Sequence, residues 1–191
     1  MPTTHYKRLL MEIDLRRVAL IEPTLPAGYA FAAWHPLLVD SHALAKHHSF
    51  SHEIDAEVFE SLSDLPGCKR LMTDISHHQG FLPLATWLIR FEGNEFAGPQ
   101  PVATIQGLRK SQWVGSIQNV GVVPAHRGFG LGKCLLQKCL LGFQQIGTRT
   151  VRLEVTAANR PAVALYDALG FRLKRTSYRS VTRATEPAVI P

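Results

Sequence analysis

The clearest hydrophobic pattern lies at Thr150–Thr156. Val151, Leu153 and Val155 point one way and Arg152 and Glu154 the other, which is the two-residue period of a half-buried strand. Thr86–Phe91, Val102–Leu108, Ser116–Val123 and Phe171–Val181 also read as strands, rich in β-branched and aromatic residues. Gly130–Gln145 instead carries Leu131, Cys134, Leu135, Leu141 and Ile146 on or near one stripe, which predicts a helix. A short helix is predicted over Asn159–Leu169. Asn159 is its N-cap, Pro161 lies in the first turn, Gly170 follows the end, and Ala162, Leu165, Tyr166 and Leu169 share a face. The first half is patterned more weakly. Tyr29–Trp34 predicts a strand, and Pro36–Phe50 a helix through Leu37, Leu38 and Ala45. Asp55–Leu65 predicts a second helix, capped by Asp55 and stopped by Pro66-Gly67, and Lys69–His78 a third. Gly93–Pro101 reads as a loop between strands and Thr185–Pro191 as a frayed tail. No element is predicted before Tyr29. The order is strand, helices, three strands, helix, strand, helix, strand. It predicts an α/β (α+β) domain built on a single mixed central sheet with helices on both faces.

Composition narrows the class. The chain has 191 residues, 46% apolar and 19% charged, which suits one globular domain with a full core. No apolar run approaches the roughly 18 residues that span a bilayer, and charges at Lys7, Arg8, Glu12, Asp14, Arg16 and Arg17 interrupt any signal-peptide core. Cys68, Cys134 and Cys139 form no C-x-x-C pair, so neither a disulfide framework nor a zinc ribbon is expected. The expectation is a soluble cytoplasmic protein without membrane contact. Charge is uneven. Residues 1–95 carry 8 Lys+Arg against 12 Asp+Glu, a net of −4, and residues 96–191 carry 13 against 3, a net of +10. A basic half suggests an anionic partner, a nucleic acid or a phosphorylated ligand. With no aromatic stacking platform or recognition helix to read, the phosphorylated ligand is favoured and nucleic acid is not expected.

The candidate chemistry starts at Val120–Leu135, VGVVPAHRGFGLGKCL. An apolar strand enters Pro124, then Arg127-Gly128-Phe129-Gly130-Leu131-Gly132, then a helix. Glycines let backbone N–H groups approach a ligand, and the first N–H groups of a helix are unpaired and sit at its positive end. Such a turn suits phosphate or pyrophosphate, with Arg127 and Lys133 adding charge. A glycine turn also serves close strand-to-helix packing alone. The G-x-x-x-x-G-K-[ST] phosphate loop fails because Cys134 stands where Ser or Thr is needed. The dinucleotide fingerprint fails on spacing and on its missing acidic residue.

The turn does fit R-x-x-G-x-G, and Ser116–Phe171 resembles the GCN5-related N-acetyltransferases. A second signature of that family follows in register: N-x-x-A-x-x-L-Y-x-x-x-G-F, running from Asn159 to Phe171. Taken singly, Asn159 is a cap and Tyr166 a core aromatic; the combination carries the resemblance. The Glu154, Asn159, Tyr166 spacing is most similar to the ribosomal-protein N-terminal alanine acetyltransferases, over some twenty residues. The resemblance implies the acyl-CoA N-acyltransferase fold, with acetyl-CoA as cosubstrate and no metal. It divides one domain, 1–191, into an acceptor-side half (1–95), an acetyl-CoA-binding half (96–184) and a tail (185–191). It puts pantetheine contacts at Val120, Gly121 and Val122, and pyrophosphate contacts at Arg127, Gly128, Phe129, Gly130, Leu131, Gly132 and Lys133. Asn159 would contact the cofactor arm, and Tyr166 would contact the cofactor near its acetyl-bearing sulfur.

The implied reaction is direct acetyl transfer to a primary amine of a small molecule or protein, with Tyr166 as acid to the leaving thiolate. Glu154 would be the base, directly or through water, and the Val122 N–H an oxyanion donor. Many relatives carry a carboxylate on the strand before the glycine turn, whereas this chain has Gln118 and Asn119. A non-catalytic CoA-binding module and a transferase of larger acyl groups stay open, as do monomer and homodimer. Six of nine histidines fall at His42, His47, His48, His52, His77 and His78. His48 and His52 have i, i+4 spacing but no completing ligand, so the segment is expected to shape the acceptor pocket rather than bind metal.

Overall fold

The computed structural model describes residues 3–93 and 98–182. The strands are β1 (Thr3–Asp14), β2 (Tyr29–Ala33), β3 (Phe81–Phe91), β4 (Gln100–Arg109), β5 (Val114–Val122), β6 (Thr150–Thr156) and β7 (Arg172–Thr182). They form one sheet in the order β2-β3-β4-β5-β6-β1-β7. Every pairing is antiparallel except that of β5 with β6. The helices are α1 (Val39–Phe50), α2 (Ile54–Val58), α3 (Leu65–His77), α4 (Leu131–Gln145) and α5 (Arg160–Ala168).

The expected mixed sheet with helices on both faces is present, and β4 shows how both faces are covered. Thr104 and Gln106 face α1, where they bond His42 and Lys46. Ile105 and Gly107 face α4; a Cβ on Gly107 would stand 3.0 Å from the Phe143 ring. Leu131, Leu135, Leu136, Leu140 and Phe143 of α4 pack there with Val151, Leu153 and Val155 of β6 to form the main core. The α4 stripe is thus shifted from expectation, with Leu136, Leu140 and Phe143 buried and Cys134, Leu141 and Ile146 only half-buried.

Several boundaries differ from the sequence reading. The first helix begins at Val39 after a 3-10 turn at Pro36–Leu38, and Leu37 is exposed. The second is only Ile54–Val58, so Asp55 lies inside it rather than capping it. Pro66 and Gly67, expected past a helix end, open α3, whose cap is Asp64 accepting from the Gly67 N–H at 2.5 Å. Proline is favoured at that first turn because it has no N–H to leave unpaired. Gln100 and Pro101, expected in a loop, already pair with Phe91 and Arg90. Residues 94–97 and the tail Thr185–Pro191 lie outside the described residues.

The largest departure is β1. It inserts between β6 and β7, pairing with both along most of its length. Both of its faces are covered: Tyr6 and Arg8 on one are buried against α2, where they bond Glu57 and Asp55, and Met11 and Ile13 on the other enter the main core. Its register against β6 is unbroken; the irregularity beside Leu10 and Met11 is on β7, where Lys174 is the extra residue.

Candidate active site

The site opens where β5 leaves β6. The two strands pair only over Val114–Ser116 with Thr150–Arg152. Beyond that, Asn119 adopts φ 48° and the β4–β5 register slips between Thr104 and Gln106. This is a bulge with two residues facing one. Asn is among the few non-glycine residues that enter the left-handed region at low cost. The extra residue bends β5 and leaves its free edge facing a slot. Val123 N–H bonds Val102 O on β4 at 2.9 Å. Backbone direction alternates along a strand, so the Val122 N–H turns toward the slot. Val120 and Val122 are half-buried, and Gly121 is buried so tightly under α1 that a Cβ would stand 2.8 Å from the Phe50 ring and from Ser49.

The glycine turn lies at the slot's end. Gly128 and Gly130 have φ of 84° and 79°, and nothing stands within 4 Å of where their Cβ atoms would be. Gly130 precedes α4, and the first helical bond runs from Cys134 N–H to its carbonyl. The N–H groups of Leu131, Gly132 and Lys133 therefore have no partner inside the helix. Left-handed glycines, an open concavity and unpaired amides at a helix start fit an anionic diphosphate. A Cβ on Gly132 would lie 3.3 Å from Leu165 of α5 and 3.7 Å from Val122. The two sequence signatures and the edge of β5 thus meet at one point. Leu131 points into the core, whereas Phe129 and Lys133 are exposed.

Arg127 sits differently from the amides around it. Its Nε donates to Val122 O (3.0 Å), Nη2 to Ser49 O (3.1 Å) and Nη1 to Glu53 (2.7 Å). The side chain is a strut from the glycine turn to the corner between α1 and α2.

Beside the slot is a cavity of about 560 Å³ whose lining includes Gln118, Glu154, Asn159, Tyr166, Arg8 and Asp55. Asn159 caps α5, its Oδ1 accepting from Ala162 N–H at 3.2 Å, as the sequence predicts. Tyr166 is buried on the ring of Phe171. Burial first, then the Asp55 carboxylate, push its phenol far above the ordinary range against the opposing charge of Arg8, so it is protonated throughout the neutral range. Glu154 is half-exposed, with one oxygen 4.0 Å from Arg8 Nη2. Its neighbour Arg152 bonds Glu12 instead.

Two residues that sequence reasoning missed complete this wall. Arg8 of β1 donates through Nη1 to Thr156 Oγ1 (2.6 Å) and to Asp55 Oδ1 (3.3 Å), with its guanidinium over the Phe59 ring. Asp55 also accepts from Thr156 Oγ1 (2.8 Å) and from Asn159 Nδ2 (3.4 Å). No local signal marks either residue; a charged side chain in an unrecognised strand and an acid in a short helix both look like ordinary surface.

Among the described residues, no cysteine or histidine lines the cavity. Burial raises the thiols of Cys68, Cys134 and Cys139, which makes them poor nucleophiles. His42 is buried, while His48, His52, His77 and His78 are exposed. Among the described residues no group of three or more His, Cys, Asp or Glu is placed to hold a metal, and no helix is long and apolar enough to cross a membrane.

Known proteins share this arrangement. The model of the acetyltransferase (GNAT) family matches residues 45–171. The ribosomal protein bS18-alanine N-acetyltransferase of Escherichia coli (strain K12) is 38% identical over 74 residues, covering 38% of this chain and 50% of that protein. Mycothiol acetyltransferase of Streptomyces scabiei (strain 87.22) is 32% identical over 163 residues, 84% of this chain and 49% of that protein. The chain thus spans about half the length of these curated relatives. Among solved structures, a GCN5-related N-acetyltransferase from Sphaerobacter thermophilus superposes with a TM-score of 0.65 at 25% identity, over 92% of this chain and 50% of that one. The ribosomal-protein-S18-alanine N-acetyltransferase from Escherichia coli shares the fold, with a TM-score of 0.58 at 14% identity over 85% and 99% of the two chains. One family match covers the second half of α1, the splayed strands, the glycine turn and the capped α5 together, and on that ground the chain belongs to the acetyltransferase (GNAT) family.

Proposed function

We propose that this protein transfers an acetyl group from acetyl-CoA directly to a primary amine. The observation that carries the reading is the continuity of the site. The start of α4 meets the free edge of β5 at Gly132, where a Cβ would stand 3.7 Å from Val122 and 3.3 Å from Leu165, and Val120 of that edge lines one cavity with the buried Tyr166. Acetyl-CoA supplies the acetyl group as a thioester. The amides of Gly128 and of Leu131 to Lys133 hold its diphosphate, with Phe129 and the Arg127 strut keeping the turn's shape. The edge at Val120, Gly121 and Val122 pairs with the pantetheine arm, and Asn159 lies alongside it. The Val122 N–H donates to the carbonyl oxygen as negative charge develops there. Tyr166 carries the proton that the departing thiolate needs. Glu154, the more exposed carboxylate, passes the amine's proton to water.

The acceptor is an amine of a small molecule or of a protein. Relatives named for a ribosomal protein's alanine and for mycothiol indicate how widely acceptors vary in the family. The basic second half suits a cosubstrate with several phosphates better than a nucleic acid. Three free cysteines accord with a cytoplasmic setting.

Calorimetric titration with acetyl-CoA tests the reading, alongside Gly130→Glu, which sets a strained side chain and a negative charge in the diphosphate cradle. One-site binding by the wild type and its loss in the variant are expected. Failure of the wild-type protein to bind millimolar acetyl-CoA would refute the proposal.

A further inference from the structure

An amine acceptor arrives at neutral pH as an ammonium, because ordinary amines have pKa values of about 8 to 10.5. It needs an anion to receive it and a route for its proton. The β5 wall offers only the amides Gln118 and Asn119; Gln118 bonds Ser116 at 2.9 Å, and Asn119 forms the bulge. The carboxylates lining the cavity are Asp55 and Glu154. They differ in depth, with side chains 14% and 51% exposed.

We propose that Asp55, carried by α2, receives the acceptor's ammonium beside Tyr166, while Glu154 nearer the mouth relays the proton outward. This rests on the acetyltransferase reading above. Asp55 Oδ1 is already engaged by Thr156 and Arg8. Its Oδ2 has one long bond, 3.4 Å from Asn159, among the described contacts. A carboxylate oxygen accepts two hydrogen bonds, so Oδ2 has room for an N–H donor. Its nearness to the reacting end is felt at Tyr166, whose phenol its charge helps keep protonated. The charged groups lining the cavity with Asp55 are Arg8 from β1, Arg152 and Glu154 from β6, Arg175 from β7 and Lys110 beyond β4, beside Asn159 and Tyr166 of the α5 segment; Arg152 is held by Glu12. Glu57 of its own helix turns away to Tyr6, and Arg179 of β7 lies over the Phe59 ring. Arg8 holds the carboxylate in place, so little reorganisation is needed as the ammonium binds.

The proton balance is complete. The ammonium first loses one proton by way of Glu154, and its freed electron pair attacks the thioester carbon. The C–N bond forms, the C–S bond breaks, and the thiolate takes a proton from Tyr166. The nitrogen's second proton returns to Tyr166, so one proton in total reaches solvent.

The alternative is that Asp55 only ties α2 to the sheet. The test measures kcat/KM from pH 6.5 to 10 for wild type, Asp55→Asn and Asp55→Glu. Two acceptors are used: an alanine-initiated hexapeptide, whose α-amine has a pKa near 8, and Nα-acetyl-lysine methylamide, whose amine is near 10.4. At pH 7, Asp55→Asn is expected to lose about 10²-fold on each. The loss should shrink as each amine deprotonates in solution, by about pH 9 for the peptide and later for the lysine analogue. Asp55→Glu should recover part of the rate and the pH dependence, with acetyl-CoA affinity unchanged in both variants. A loss equal for both amines at every pH, or no loss, would overturn the proposal. So would turnover of neither amine by a wild-type protein that binds acetyl-CoA. Failure to bind acetyl-CoA strikes instead at the acetyltransferase reading itself.

Discussion

Tyr166 and Asp55 show how environment assigns roles to single residues. The phenol is buried against Phe171 and close to a carboxylate, so both surroundings and charge favour its protonated form. A group that stays protonated at neutral pH is suited to donate rather than accept. Replacing Tyr166 with Phe keeps the ring packing and removes only the hydroxyl. The expected result is a fall in kcat of about 10²-fold, with acetyl-CoA affinity unchanged by calorimetry. Unchanged kcat would remove Tyr166 as the acid. Asn119 shows the opposite case, a residue at an expected catalytic position whose backbone matters more than its side chain. Its left-handed φ makes the bulge that opens the slot.

At the scale of elements, α1 packs on β4 through a buried polar row. Lys46 Nζ donates to Gln106 Oε1 (2.6 Å), Gln106 Nε2 donates to Thr104 Oγ1 (2.6 Å), and Thr104 Oγ1 is hydrogen-bonded to His42 Nδ1 (2.8 Å). Burial pushes the Lys46 ammonium down to about 7 from 10.5. Burial, and then the charge of Lys46, push His42 down to about 3 from 6.5. In both cases the unfolded chain binds the extra proton, so stability rises with pH. The Lys46 contribution is full above 10.5 and lost as pH falls to 7; that of His42 is full above 6.5 and lost as pH falls to 3. Lys46→Met removes the first dependence. Its melting temperature relative to wild type is expected to be higher at pH 6.5 than at pH 10, read by thermal unfolding across that range. A difference independent of pH would show that Lys46 is not neutralised by burial. This row was hidden from sequence reading because a histidine and a lysine four residues apart look like a solvated helix face. Only the packing of α1 on Thr104 and Gln106 turns that face inward.

At the scale of the whole molecule, the site is a seam between two differently charged halves. The basic half supplies the glycine turn and the capped helix α5, and the acidic half supplies Asp55 and Glu53. Arg127 bonded to Glu53, and Asp55 bonded to Thr156 and Asn159, cross the seam. Strand β1 supports the second crossing, because it lies between β6 and β7 and carries Arg8, which bonds both Thr156 and Asp55, on the cavity face. Removing residues 1–14 would expose the edges of two strands, strand Asp55 without its cation and unseat Met11 and Ile13 from the core. The expected outcome is loss of cooperative thermal unfolding and of acetyl-CoA binding. A truncated protein that melts cooperatively and binds would contradict this central role.

Local rules were enough for the second half of the chain. The alternation of Thr150–Thr156, the cap and proline of α5 and the glycines ahead of α4 each act within a few residues, so the sequence alone determined those elements and the class of ligand they suit. What only the tertiary structure decided depends on distant partners. Arg8 is buried because Asp55, forty-seven positions away, neutralises it, and β1 is a strand because β6 and β7 pair with both its edges. Strand β1 buries one face against α2 near its start and the other in the core further on, so no single face reads as a continuous apolar stripe. Charge compensation and strand pairing act through space, and neither leaves a local pattern in the chain.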